Sequence, residues 1–157
     1  MLHPISTDFH NADLLRRLVD SGVSFVLVGG AAVAAYGCRD QTYLPEIDIL
    51  IGPALQNARQ VIGVLSELFP LQITAEDLAG AKKQLPVKLL LFDMDILTPT
   101  ENENFPAILE RSGRVMLGDL EVRVIGRDDL IAMKREVVKK QEPGSEKYKR
   151  DLDCLER

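Results

Sequence analysis

Apolar residues recur at helical spacing in some stretches of the chain and condense into short unbroken runs in others, which predicts helices interleaved with buried strands. Leu14, Leu15, Leu18 and Val19 lie on one face of a helix over Asn11 to Ser21, and Gly22 ends it. Ser24 to Val28 is a compact β-branched and aromatic run of the kind that makes a buried strand, and Gly29-Gly30 closes it. Ala31 to Tyr36 is rich in alanine and stops at Gly37, so this unit reads strand, glycine turn, helix. A second strand is expected over Glu46 to Ile51, where acids and apolar residues first alternate before the run turns wholly apolar. Val61, Ile62, Val64, Leu65 and Leu68 give Ala54 to Phe69 a helical face, and Pro70 terminates it.

Further along, Leu71 to Thr74 reads as a short edge strand and Ala75 to Lys83 as a helical turn or loop. Val87 to Leu97 is expected to be one long strand carrying Asp93 and Asp95. Phe105 to Arg111 reads as a short helix, and Arg114 to Leu117 pairs with Leu120 to Ile125 in a hairpin around Gly118-Asp119. A helix over Leu130 to Lys140 is expected to be capped by Asp128 or Asp129. Pro143-Gly144 interrupts it, and a last amphipathic helix covers Glu146 to Arg157. Without repeats or low-complexity tracts, residues 1–157 are expected to form one domain.

Composition narrows the functional classes. The chain is 46% hydrophobic and 27% charged, with 19 basic against 24 acidic side chains and a net charge of −5. Such a balance opposes general nucleic-acid or membrane binding, and 5% aromatic residues leave few rings for stacking bases. The basic residues from Lys134 to Arg150 are interleaved with acids and read as a solvated helix face laced with pairs. The uncharged stretch Ser21 to Cys38 is split by Gly29-Gly30 and is not expected to span a membrane, and no signal peptide is expected. Cys38 and Cys154 match no metal or redox spacing, so they read as ordinary thiols of a reducing, cytoplasmic compartment; the two could pair, but nothing in the sequence argues for it.

Chemistry concentrates between Gly29 and Asp95. A strand that ends in Gly-Gly presents backbone N–H groups with no Cβ in the way, which suits an anion. Glu46 and Asp48, two apart on a strand, project from the same face, and Asp93 with Asp95 repeats the arrangement on another strand. Acids so placed repel one another, and a divalent cation relieves the repulsion. If the two strands are neighbours, their carboxylates converge in a set suited to Mg²⁺ and substrate phosphates.

On these residues the chain resembles the minimal nucleotidyltransferases of the DNA polymerase beta-like superfamily, in its bacterial antitoxin- and toxin-like branch. Phe25 to Gly37 resembles their strand, Gly-Gly turn and helix. Arg39 and Thr42 followed by Glu46-Ile47-Asp48-Ile49-Leu50-Ile51 resembles their Arg-Thr segment and acid pair, and Asp95 to Pro99 resembles the strand of their third carboxylate. Asp129 to Lys134 and Lys149 to Asp153 are similar to their C-terminal helices. The resemblance implies an α+β fold of two layers, with a short mixed β-sheet packed against helices and further helices at the C-terminus.

It also implies transfer of a nucleoside monophosphate from a nucleoside triphosphate to a hydroxyl acceptor. Gly29, Gly30, Arg39 and Lys134 would then contact the nucleotide, Glu46, Asp48 and Asp95 would bind Mg²⁺, and Asp48 and Asp95 would be catalytic, with Asp95 deprotonating the acceptor. A small molecule or a protein hydroxyl is the expected acceptor rather than long nucleic acid. Two departures from the family pattern, Glu46 at a position usually held by Asp and a longer segment before it, motivate an alternative. That alternative is an inactive nucleotide-binding or toxin-antitoxin interaction module with a protein partner. A doubly wound dinucleotide-binding protein fits poorly, because the third spaced glycine is missing.

Overall fold

A computed structural model describes residues 2–89, 91–140 and 145–157. The first half contains β1 (Ser6–Thr7), α1 (Phe9–Asp20), β2 (Phe25–Val28), α2 (Gly29–Ala35), β3 (Tyr43–Leu44), β4 (Ile47–Ile51), α3 (Leu55–Leu68) and α4 (Ala75–Leu78). The second contains β5 (Gln84–Val87), β6 (Met94–Leu97), α5 (Phe105–Glu110), β7 (Gly113–Leu117), β8 (Leu120–Val124), α6 (Arg127–Lys139) and α7 (Ser145–Leu155). Six strands form one mixed sheet in the order β5-β6-β4-β2-β8-β7, and β1 pairs with β3 in a separate parallel ladder.

The core explains the central strands. All four residues of β2 are buried, as are Ile47, Ile49, Leu50 and Ile51 of β4, so apolar contact on both faces of these strands stabilises the centre of the sheet. Helix α1 buries Leu14, Leu15 and Leu18 as its spacing requires, and the Asp8 carboxylate caps it by accepting the His10 N–H at 2.9 Å. The same helix buries one polar residue, Asn11. Its amide donates to the Pro45 carbonyl at 3.1 Å and to Thr7 Oγ1 at 3.2 Å, while its Oδ1 accepts the Asp93 N–H at 2.9 Å. One fully satisfied side chain thereby ties the entries of β4 and β6 to α1.

Several sequence expectations are corrected. The expected strand Val87 to Leu97 divides into β5 and β6, which run antiparallel, with Asp95 opposite Pro86 and Met94 opposite Val87. Leu89 and Leu91 are exposed, and the Phe92 N–H donates back to the Leu89 carbonyl at 3.0 Å, so the apolar run contains a turn rather than continuous core. Pro86 sits in the edge strand, where its missing N–H costs no ladder bond. Leu71 to Thr74 is not a strand: Thr74 instead opens α4 in a reciprocal cap with Asp77. Helix α6 begins at Arg127 with Gly126 as its cap, which puts Asp128 and Asp129 in its first turn. The expected break at Pro143-Gly144 lies outside the described residues. The hairpin around Gly118-Asp119 is present as β7 and β8, with Leu117 opposite Leu120.

Cys38 and Cys154 are disulfide-bonded, with Cα atoms 5.7 Å apart across a sequence separation of 116. The expectation of two free thiols is therefore overturned. Helix α7 returns beside the end of α2, and sequence spacing carries no information about that return. The cysteine argument for a reducing compartment falls with it. Among the described residues no helix is long and apolar enough to cross a membrane.

Candidate active site

Backbone geometry explains why the Gly-Gly pair follows β2. Gly29 is the first residue of α2 and has a φ of +60°, a left-handed conformation that disfavours side chains. A Cβ at Gly29 would also collide with Asp48 Oδ2. The glycine thus permits both the bend and the close approach of the Asp48 carboxylate to the backbone. Gly29→Ala should cost on the order of 1–3 kcal/mol from the strained backbone alone, and the close contact adds to this. A denaturant melt indistinguishable from that of the unsubstituted protein would contradict the approach.

The carboxylates come together through sheet register. Strand β2 runs antiparallel to β4 with Val28 opposite Asp48, and β4 runs parallel to β6 with Asp48 opposite Asp95. Met94 and Ile96 are buried while Asp95 is only partly so, which leaves Asp95 on the face shared with Asp48. Glu46 precedes β4 by one residue and, two positions from Asp48, joins the same face. Ligand atoms of Glu46, Asp48 and Asp95 all lie within 4.8 Å of one another.

Electrostatics at this cluster are unfavourable without a cation. Asp48 Oδ1 and Asp95 Oδ1 are both buried and have no hydrogen-bond partner. Burial first, then Glu46 and Asp95, push the Asp48 carboxyl from 3.8 up to about 6. Asp95 is also raised, mainly by burial, with Lys88 opposing the shift. Three carboxylates with two orphaned oxygens make a hard-oxygen donor set of the kind Mg²⁺ takes, so these residues fit a divalent cation.

The Asp48 shift has a sign that can be checked. Between 3.8 and about 6 the folded protein keeps a proton that the unfolded chain has lost. The Asp48 contribution to stability therefore falls as pH rises through that window and is constant above it. Asp48→Asn lacks this penalty. In EDTA the Tm of the variant minus that of the unsubstituted protein should grow across the window and then level off. A pH-independent difference would contradict the buried, mutually repelling arrangement.

Basic groups line the same opening. Gly29, Gly30, Arg39, Glu46, Asp48 and Lys134 all line a cavity of about 470 Å³. Lys134 is only 5% exposed, and its ammonium lies 4.1 Å from the centre of the Tyr148 ring. Asp151, 3% exposed, accepts two hydrogen bonds from Arg39 at 3.0 and 2.8 Å and sits 3.5 Å from the Lys134 ammonium. Burial lowers the pKa of Lys134, and Asp151 counters it. A larger cavity of about 570 Å³, bordered by Lys82, Glu103 and Glu136, lies away from the acids.

No protein-family model and no curated protein matches the chain. Among solved structures it is similar to TM1012 from Thermotoga maritima, whose crystal structure is described provisionally as that of a nucleotidyltransferase. The TM-score is 0.54 at 14% identity, over 84% of this chain and 87% of that one. This is a nucleotidyltransferase fold.

Within the nucleotidyltransferase fold Gly29, Gly30, Glu46, Asp48, Arg39 and Lys134 line one cavity, and Asp95 adjoins it through its approach to Glu46 and Asp48. Asp93 is not a member of the ligating group; it precedes β6 and pairs with Lys88 at 2.7 Å. The expected solvated basic face is corrected at Lys134 and Asp151, which are buried, and borne out at the exposed pairs Lys149 with Glu146 and Arg135 with Glu156. Two side chains were not expected at the site. Asp151 is one acid among many in a charged helix, and only the return of α7 distinguishes it. Lys88 could have been noticed as the cation nearest in sequence to Asp93 and Asp95.

Proposed function

We propose that the protein is a Mg²⁺-dependent nucleotidyltransferase that moves a nucleoside monophosphate from a nucleoside triphosphate to a hydroxyl acceptor. The observation that carries this reading is the pair of orphaned buried oxygens on Asp48 and Asp95, register partners on β4 and β6, beside the Gly29 backbone. Glu46, Asp48 and Asp95 would hold the metal. When bound, it would neutralise phosphate charge and favour departure of pyrophosphate.

The chain's own groups supply the remaining work. Gly29 and Gly30 leave the backbone open to phosphate oxygens, while Arg39 and Lys134 offer cationic donors at the same cavity. Asp95, register partner of Asp48 on the same face of the sheet, would be the carboxylate that takes the proton of an acceptor hydroxyl. A triphosphate donor favours a cytoplasmic location, where the Cys38–Cys154 pair would meet reductants, and the acceptor is read as a small molecule or a protein hydroxyl. Residues 1–157 are taken as one functional unit.

A second reading is favoured by the ion pairs on Asp151. Because Arg39 and Lys134 are already engaged there, the fold could serve as a nucleotide-binding or toxin-antitoxin interaction module without turnover. The two readings separate in one experiment. With labelled triphosphates, Mg²⁺ and candidate acceptors, the first expects pyrophosphate release and label on the acceptor, with and without reductant. Nucleotide binding without release across the acceptor panel would leave the second.

A further inference from the structure

The ammonium of Lys88, in the segment between β5 and β6, stands against the acids from outside the cavity. Its Nζ lies 2.7 Å from Asp93 Oδ1, 3.1 Å from Glu46 Oε1 and 3.8 Å from Asp95 Oδ2. The ammonium donates hydrogen bonds to Asp93 and Glu46 and faces Asp95 as an ion pair. The neighbouring carboxylates, Asp93 first, raise its pKa, so it is charged at neutral pH. Lys88 makes no ion pair with Asp48, which among the described residues has no cationic group within 4.0 Å.

The division of oxygens is informative. On Asp95, Lys88 faces Oδ2, whereas Oδ1 is the buried oxygen left without a donor. Asp48 Oδ1 is orphaned in the same way. The acid group therefore has two sides: one faced by the Lys88 ammonium at Glu46, Asp93 and Asp95, the other holding the buried, donor-less oxygens of Asp48 and Asp95. A second divalent cation drawing on Glu46 and on Asp95 Oδ2 would meet a resident positive charge within about 4 Å of those oxygens.

We propose that Lys88 occupies the place of a second divalent cation, so that this chain takes a single ion, bound between Asp48 and Asp95. Lys88 is then a positioning residue, orienting Glu46 and Asp95 and limiting the metal count. The inference rests on the reading of the three acids as a metal site, and it adds the stoichiometry of that site and the group that sets it.

The test uses Mn²⁺ alone on protein stripped with EDTA and desalted, with free aqueous Mn²⁺ counted by electron paramagnetic resonance. The unsubstituted protein should bind about one ion per chain, and Asp48→Asn should lose it. Lys88→Met and Lys88→Gln, which remove the charge from a half-exposed side chain, should bind about two, the additional ion at least about ten-fold tighter than any weak second binding in the parent. Lys88→Arg, which keeps the charge, should return to about one ion. An unchanged count and affinity in both neutral variants would overturn the role of Lys88 while leaving the metal site intact. Absence of any Asp48-dependent Mn²⁺ binding in the parent would instead overturn the metal site itself.

Discussion

Asp48→Asn should lower the proposed nucleotidyl transfer by on the order of 10²–10³-fold or more, while the folded chain in EDTA becomes more stable at neutral pH. Both effects have the same origin. The Asp48 carboxylate is buried against Gly29, faces Glu46 and Asp95, and has one oxygen with no donor. Such a group is unfavourable for the metal-free fold and is explained by the cation it would bind. An amide at the same position keeps the shape, removes the repulsion and loses most of the affinity for a hard cation. Turnover, Mn²⁺ binding and the Tm in EDTA should thus move in a coupled way in this variant. Retained turnover together with retained Mn²⁺ binding would remove Asp48 from the mechanism, and a large loss of stability would show that its role is structural.

Reduction of the Cys38–Cys154 bond should have the largest effect on stability. The bond closes a loop of 116 residues, and in the chain-entropy treatment cross-links of such length stabilise by roughly 3–5 kcal/mol relative to the reduced chain. For a domain of this size that corresponds to a fall in Tm of about 10 °C, read by calorimetry with and without a dithiol reductant. Cys154→Ser should match the reduced protein and be insensitive to reductant. A thiol titration of the native protein that finds two free cysteines, or a Tm unchanged by reductant, would refute the cross-link. Because the bond joins the end of α2 to α7, and α7 carries Asp151, its loss should also loosen the Arg39 and Lys134 wall of the cavity before the central sheet.

The central elements were legible because their signal is local. Leu14, Leu15 and Leu18 recur at the period of a helix, and the four apolar residues of β2 are bounded by glycine, so each segment's pattern agrees with its place in the fold. The acids were legible for a related reason. Asp48 and Asp95 interrupt strands that are otherwise core, with Glu46 two residues before Asp48, and such an interruption is costly enough to point to a function. The strand expected over Val87 to Leu97 was too long because Leu89 and Leu91 look like core residues, and no local rule marks a turn that exposes them. At α6 the acids Asp128 and Asp129 suggested a cap, but Gly126 takes that position and Asp129 pairs with Arg111.

By itself the sequence determined the order of the main helices and strands, the need for glycine after β2 and the two strands on which acids stand among core residues. These follow from periodicity and from the cost of burying charge, both of which act over a few residues. Tertiary structure alone decided that Asp48 and Asp95 are register partners, that Asp93 turns to Lys88, that Asp151 is buried between Arg39 and Lys134, and that cysteines 116 positions apart are joined. Strand order and the return of the last helix depend on how whole faces bury one another, and that sum over distant residues leaves no mark on local spacing.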